Sequence, residues 1–188
     1  MAERVFTKDW FSKRRRQWRN QLEELRTGGV VRALEIGSYE GRSACWLAEY
    51  LAPDLRLECI DPFVSDEIEA RFMQNTEALR EQGLLSISKG LSINELACRI
   101  AEGREYDFIY VDGSHEGAIV LWDAVACFQL LRVGGKMCFD DYLWNRSHRH
   151  FPPKPAINAF LRLYGPYLEV TAKSYQVWVR KTKSALHR

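Results

Sequence analysis

The chain has 188 residues, 46% of them hydrophobic, enough for one domain with a sizeable core and too few for two comfortable ones. Its 27 lysines and arginines against 25 acids leave a formal charge of +2, so no long-range field marks it for nucleic acid or an anionic membrane. The charged start MAERVFTKDWFSKRRRQW lacks the apolar stretch of a secretory leader, and the longest apolar run, broken by Asp123, falls short of the roughly 20 residues that cross a bilayer.

Phe11, Trp18, Leu22 and Leu25 recur at the spacing of an amphipathic helix, which RTGG (Arg26 to Gly29) ends. Lys13, Arg14, Arg15 and Arg16 mostly face away from that stripe and read as a solvated face. Residues 1–28 therefore form an N-terminal helical segment, 29–181 the main domain, and 182–188 a frayed tail. In the main domain VRALEI, LRLECI, LLSISK, YDFIYV and GKMCFD are short β-prone runs separated by helix formers. This alternation predicts a doubly wound α/β fold with a mostly parallel sheet. Two further runs in YLEVTAKSYQVWVRK (Tyr167 to Lys181) predict an antiparallel hairpin that completes seven strands. The cysteines, Cys45, Cys59, Cys98, Cys127 and Cys138, are odd in number, form no CxxC pair and read as core thiols. Free thiols fit a reducing compartment, so the cytoplasm is expected.

The stretch ALEIGSYEGRSACWL runs from a strand through a glycine turn into a helix, the usual ligand cradle of such a fold. The dinucleotide fingerprint G-x-G-x-x-G is incomplete, because Tyr39 stands where the middle glycine belongs between Gly37 and Gly41. A pyrophosphate would meet a tyrosine there, and Glu35 at the strand end suits a cation or an ammonium better than an anion. Asp61, ending the second run, stands where such folds place an acid on ribose hydroxyls. A ribose without a pyrophosphate is implied.

Together these features resemble the class I S-adenosylmethionine-dependent methyltransferases. The segment YDFIYVDGSHEGAIVLWDAVACFQLLRVGGKMCFDDYLW (Tyr106 to Trp144) narrows the resemblance to the catechol and caffeoyl-coenzyme A O-methyltransferases, and most closely to small bacterial members with a VDGSH strand end. The resemblance implies S-adenosyl-L-methionine as cofactor. It would be held by Glu35, Gly37, Ser38, Tyr39, Gly41 and Ser43 on the first turn and helix, Asp61 and Pro62 after the second strand, Leu91 and Ser92 after the third, and Asp112. Asp112 ends the fourth strand, and Asp140 and Asp141 end the fifth, so the three carboxylates are expected on one rim, where they suit a hard divalent cation such as magnesium. The matching positions of the O-methyltransferases hold a metal that binds substrate hydroxyls, often with Asp-Asn where this chain has Asp-Asp. His115, three residues past Asp112, is the candidate base, with Asp112 beside it in the catalytic pair. Each residue also has a plainer reading: Asp-Gly forms turns, Asp-Asp caps helices, and His115 caps or packs.

The expected activity is metal-assisted methyl transfer to a hydroxyl of a small molecule. Two alternatives stand beside it: other chemistry on the same fold, since VDGSH also resembles a cephalosporin-hydroxylase-like group, and a non-catalytic cofactor-binding scaffold docking through its basic N-terminal face. The loop YLWNRSHRHFPPKP (residues 142–155) sits on the same rim and reads as a substrate lid, its His148 and His150 as solvated residues; a homodimer would help exclude water.

Overall fold

The computed structural model of the protein describes residues 4–144 and 152–185. After helix α1 (Arg15–Leu22), strand and helix alternate as β1 (Val31–Ile36), α2 (Arg42–Leu51), β2 (Leu55–Asp61), α3 (Asp66–Glu81), β3 (Leu85–Lys89), α4 (Ser92–Ala101), β4 (Tyr106–Val111), α5 (Gly117–Leu130) and β5 (Leu131–Phe139). Helix α6 (Pro153–Tyr164) then leads into β6 (Leu168–Lys173) and β7 (Val177–Lys181). The sheet order is β3-β2-β1-β4-β5-β7-β6. Strands β1 to β5 pair in parallel, and β7 pairs antiparallel with both β5 and β6, so the predicted seven-stranded sheet and its closing hairpin are observed. The order reverses between β1 and β4, and a ligand crevice belongs at the carboxyl ends of these two strands.

The central strands read as near-continuous apolar runs because helices cover both faces of the sheet. On one face Trp18 is fully buried and meets the edges of Trp46, Phe108, Tyr110 and Trp178. At about 25 cal/mol per Å², the roughly 200 Å² of a buried tryptophan is worth about 5 kcal/mol of transfer free energy. The N-terminal helix is therefore part of the core. Ion pairs from Glu24 to Arg180 (2.7 Å) and Lys136 (3.0 Å) hold its far end to the hairpin and β5. On the other face Leu34, Ile109, Met137 and Phe139 pack against α5 and α6.

Several expectations need correction. Helix α1 is only two turns long, tightened at either end into 3₁₀ turns at Ser12–Arg14 and Glu23–Thr27. Strand β5 starts four residues before the GKMCFD run, because Leu131 already pairs with Tyr106. Cys98 lies exposed on α4, whereas the other four cysteines are buried, and all are free thiols. Asp123, which breaks the longest apolar run, is nevertheless fully buried on α5; burial pushes its carboxyl up to about 6, against the Ser92 hydroxyl, which lowers it. The first tail residue is tied down, since the Thr182 N–H donates to the Tyr167 carbonyl (2.9 Å). Half of the proposed lid, with His148 and His150, lies outside the described residues. Among the described residues no helix is long and apolar enough to cross a membrane.

Candidate active site

The turn after β1 is pressed so closely against the end of β4 that only glycine fits. Gly37 has φ +83°, its N–H donates to the Ile60 carbonyl (2.9 Å), and a Cβ there would run into the Asp112 carbonyl and Gly113. Gly41, at φ +81°, opens α2 where a Cβ would press on Thr76 and Phe72 at 3.0 and 3.1 Å. Between them Tyr39 holds φ +50° without being glycine. Asp61 explains how: its Oδ2 accepts from the Ser38 and Tyr39 N–H groups (2.8 Å each) and its Oδ1 from Phe63 N–H (2.7 Å). The acid predicted for ribose is thus also the clamp that shapes the turn, and a carboxylate has lone pairs left for further donors.

Glu35 lies beneath this turn, not on its open side. It is 1% exposed and accepts from the Ser38 hydroxyl (2.7 Å), the Ser43 hydroxyl and the Cys59 thiol. Burial pushes its carboxyl up to about 7, against the hydrogen bonds from Ser43, Ser38 and Cys59, and the Asp61 charge adds to the rise.

Across the Gly37 contact, the ends of β4 and β5 carry a second cluster. Because side chains alternate along a strand, Tyr110 and Asp112 share a face, and the Tyr110 hydroxyl lies between Asp112 Oδ2 (2.8 Å) and Asp140 Oδ2. A phenol has one proton, so both contacts are hydrogen bonds only when one carboxyl is protonated. Asp112 fits that role: burial, then the charges of Asp140 and Asp141, hold its carboxyl well above the carboxylate range. Gln176 is fully buried; its Nε2 donates to Asp140 Oδ2 (2.8 Å) and its Oε1 accepts from Trp18 Nε1 (3.0 Å). An indole only donates, which fixes the amide with its NH₂ towards Asp140. The Asp141 N–H donates to Asp140 Oδ1 (2.7 Å), its Oδ1 accepts from the Tyr175 hydroxyl (2.8 Å), and its Oδ2 lies 2.7 Å from His115 Nε2. Trp144 packs on the His115 ring at 4.5 Å. Asp112, Ser114, Asp140 and Asp141 line a small recess floored by Val111, Val120 and Phe139.

The chain's start straps these two clusters together. Thr7 gives its N–H and hydroxyl to buried Glu40 (2.6 Å each), Asn75 exchanges bonds with Val5 (2.8 and 2.9 Å), and the Arg42 guanidinium donates to the Lys8 carbonyl (3.0 Å). So held, Trp10 packs on Tyr39 at 5.1 Å and Arg14 lies over the Tyr175 ring at 4.3 Å. Lys13, Arg15 and Arg16 are exposed as expected, but Arg14 is half-buried beside the site.

The structure therefore brings together Gly37, Ser38, Tyr39, Gly41, Ser43 and Asp61 around one turn, with Asp112, His115, Asp140 and Asp141 on the adjoining rim. Pro62 and Leu91 are exposed on the loops after β2 and β3, and Ser92 is the first residue of α4; the Gly90 N–H, bonded to the Asp61 carbonyl (3.1 Å), keeps this loop against the turn. The three aspartates share a rim without forming a cage: among the described residues no three His, Cys, Asp or Glu side chains are arranged to hold a metal. In this arrangement Tyr110 and Gln176 occupy Asp140 Oδ2, and Tyr175 and His115 hold Asp141. Sequence reasoning missed Tyr110, Gln176, Tyr175, Trp10 and Arg14; strand alternation two residues before Asp112 was the one signal available, for Tyr110.

A family model described as a methyltransferase domain matches residues 34–142, more than half of the chain. The chain belongs to this methyltransferase family. Tricin synthase 1 of rice (Oryza sativa subsp. japonica) is 32% identical over 125 residues, which are 64% of this chain and 48% of that protein, so the match spans about half of the curated relative. Among solved structures, an O-methyltransferase from Bacillus cereus in complex with SAH superposes with a TM-score of 0.72 at 19% identity, covering 94% of this chain and 84% of that one. The O-methyltransferase TomG from Streptomyces achromogenes, in complex with SAM, does so with a TM-score of 0.70 at 19% identity over 92% and 81% of the two chains. The MycE methyltransferase of mycinamycin biosynthesis, in complex with Mg and SAH, gives 0.68 at 16% identity over 94% of this chain and 51% of its own. At these identities the structural likeness establishes the fold.

Proposed function

We propose that this chain is an S-adenosylmethionine-dependent O-methyltransferase acting on a hydroxyl of a small molecule, assisted by a divalent cation, magnesium first. The observation that carries the reading is the contact of Gly37 with Asp112 and Gly113, which makes the nucleoside cradle and the His115–aspartate rim two sides of one wall. The O-methyltransferase neighbours in complex with SAM or SAH support the cofactor, and the Mg in the MycE complex supports the cation. Buried free thiols support a cytoplasmic setting.

The cofactor supplies an electrophilic methyl on a sulfonium, with no phosphate for Tyr39 to reject. Asp61 receives ribose hydroxyls with the lone pairs that Ser38, Tyr39 and Phe63 leave free. With the cofactor bound, the rim would hold the acceptor oxygen for its bond to the methyl carbon, the carbon–sulfur bond breaking with its pair left on sulfur. The hydroxyl proton goes to His115: with Nε2–H on Asp141, Nδ1 is the basic nitrogen, and the carboxylate steadies the imidazolium that forms. Alignment of oxygen, carbon and sulfur is worth roughly 7–11 kcal/mol in such reactions.

Asp112, Asp140 and Asp141 bring only oxygen donors to one rim, the donor type of a hard cation, so they fit magnesium by donor chemistry. Bound there, the cation would stabilise the acceptor alkoxide.

S-adenosylmethionine should raise the melting temperature of the protein, and Asp61→Ala should abolish that rise. An equal rise in the variant rejects the ribose assignment. Incubation of a metabolite extract with labelled methyl donor should then label a hydroxyl compound, and undiminished labelling in excess chelator rejects the cation.

A further inference from the structure

We infer that the acceptor carries a carboxylate about one aromatic ring away from the hydroxyl it presents, and that Arg14 reads that carboxylate. This rests on the O-methyltransferase reading and adds a substrate class to it. Arg14 differs from the other cations of its run. Lys13, Arg15 and Arg16 are exposed, whereas Arg14 is half-buried over the Tyr175 ring, and Tyr175 itself donates to Asp141. Nearby Arg42 and Arg71 each have a carboxylate, Asp9 and Glu40. Among the described residues no carboxylate lies within ion-pair distance of Arg14. A guanidinium with one face on an aromatic ring still has its N–H fork in plane, the geometry that takes a carboxylate through two bonds.

The spacing comes from Tyr175: its hydroxyl reaches Asp141 Oδ1 (2.8 Å) while Arg14 lies over its ring face, 4.3 Å from the centroid. A ligand with its hydroxyl at Asp141 and His115, lying along Tyr175, brings a substituent across its own ring to the guanidinium. Trp10, on the same strap, is 69% exposed and packs at a tilt on Tyr39. The strap that positions both is pinned by Glu40, Asn75 and Arg42, so these side chains do not depend on ligand to come together. Were Arg14 merely there to offset the charges of Asp140 and Asp141, its loss would weaken every acceptor alike.

The test compares kcat/KM for 3,4-dihydroxybenzoate and for its methyl ester, with S-adenosylmethionine and magnesium. The unaltered protein should favour the acid by roughly tenfold, the scale of a partly exposed charge-assisted pair. Arg14→Met should bring the ratio near one, mainly through KM. Arg14→Lys should keep part of the preference, and Arg14→Glu should favour the ester. Equal use of acid and ester by the unaltered protein, a ratio unmoved in Arg14→Met, or no use of either by a protein that S-adenosylmethionine stabilises overturns the inference while leaving the methyltransferase reading in place. Absence of that stabilisation overturns both.

Discussion

Replacing Glu35 by glutamine should make the protein more stable above neutral pH, because it removes a charge buried beneath the turn after β1. The carboxyl is fully buried and protonates at about 7 in the folded protein, against the ordinary 4.5 in an unfolded chain. Between these values the folded state binds the extra proton, so this group's contribution is complete below about 4.5 and is lost as the pH rises through about 7. A difference of about 2.5 units corresponds to roughly 3 kcal/mol, a large part of the 5–15 kcal/mol that stabilises a typical domain. Glutamine is nearly isosteric and keeps its carbonyl as acceptor for one serine, while the other hydroxyl rotates to accept from the new amide. Urea unfolding at pH 5, 6, 7 and 8, followed by tryptophan fluorescence, gives the comparison. The native protein should lose about 3 kcal/mol across the series relative to Glu35→Gln, equivalent to roughly 6–12 °C in melting temperature. Parallel curves, with a constant gap between the two proteins at every pH, would refute the reasoning, because the titrating group would then lie elsewhere.

Gly37→Ala should cost at least about 3 kcal/mol in urea unfolding, since the new methyl meets backbone atoms of Asp112 and Gly113 at positive φ; a loss under 1 kcal/mol would show the two strand ends free to separate. Tyr110→Phe keeps the ring against Trp18 but removes the hydroxyl between Asp112 and Asp140, so it should lower stability by about 1–3 kcal/mol without divalent cation, and millimolar magnesium should narrow the gap in thermal melts. Glu40→Ala removes both Thr7 bonds, worth about 1.5–3 kcal/mol each to a charged acceptor, and hydrogen exchange should quicken over residues 5–12 well before it does in the sheet.

The parts of this molecule legible in its sequence are those with local causes. Short β-prone runs bounded by turns marked all seven strands, most plainly β1 and β4, whose burial on both faces leaves few ways to write them. Gly37 and Gly41 stood out because their backbone conformations exclude most other residues, and Asp61 because its distance from them is set by one strand–helix–strand unit. The errors have a common physical origin. Arg14 was grouped with its basic neighbours because helical spacing says which side of a helix faces solvent but not what a distant hairpin brings up to it. Gln176 and Tyr175 occupy the bend between β6 and β7, more than thirty residues beyond Asp140, and no periodicity links them to it. Tyr39 stands where the dinucleotide fingerprint has glycine, and its positive φ is held by a carboxylate from the next strand, which the turn's own sequence does not show.

This division follows the chain itself. Residues 34–142, the span that matches the methyltransferase family, contain Glu35, Gly37, Asp61, Asp112, His115, Asp140 and Asp141. The flanks outside it deliver Trp10, Arg14 and Trp18 from one end and Tyr175 and Gln176 from the other, and those two flanks meet directly, through Trp18 on Gln176 and Arg14 on Tyr175. On the proposed reading the cofactor and the acceptor hydroxyl face the shared span, and the remainder of the acceptor faces the flanks. A change of acceptor therefore needs substitutions in two segments that touch each other, which leave the Asp61 clamp and the Gly37 contact undisturbed. Exchanging Arg14 and Tyr175 together should accordingly alter which hydroxyl compound is used while the melting-temperature rise with S-adenosylmethionine persists.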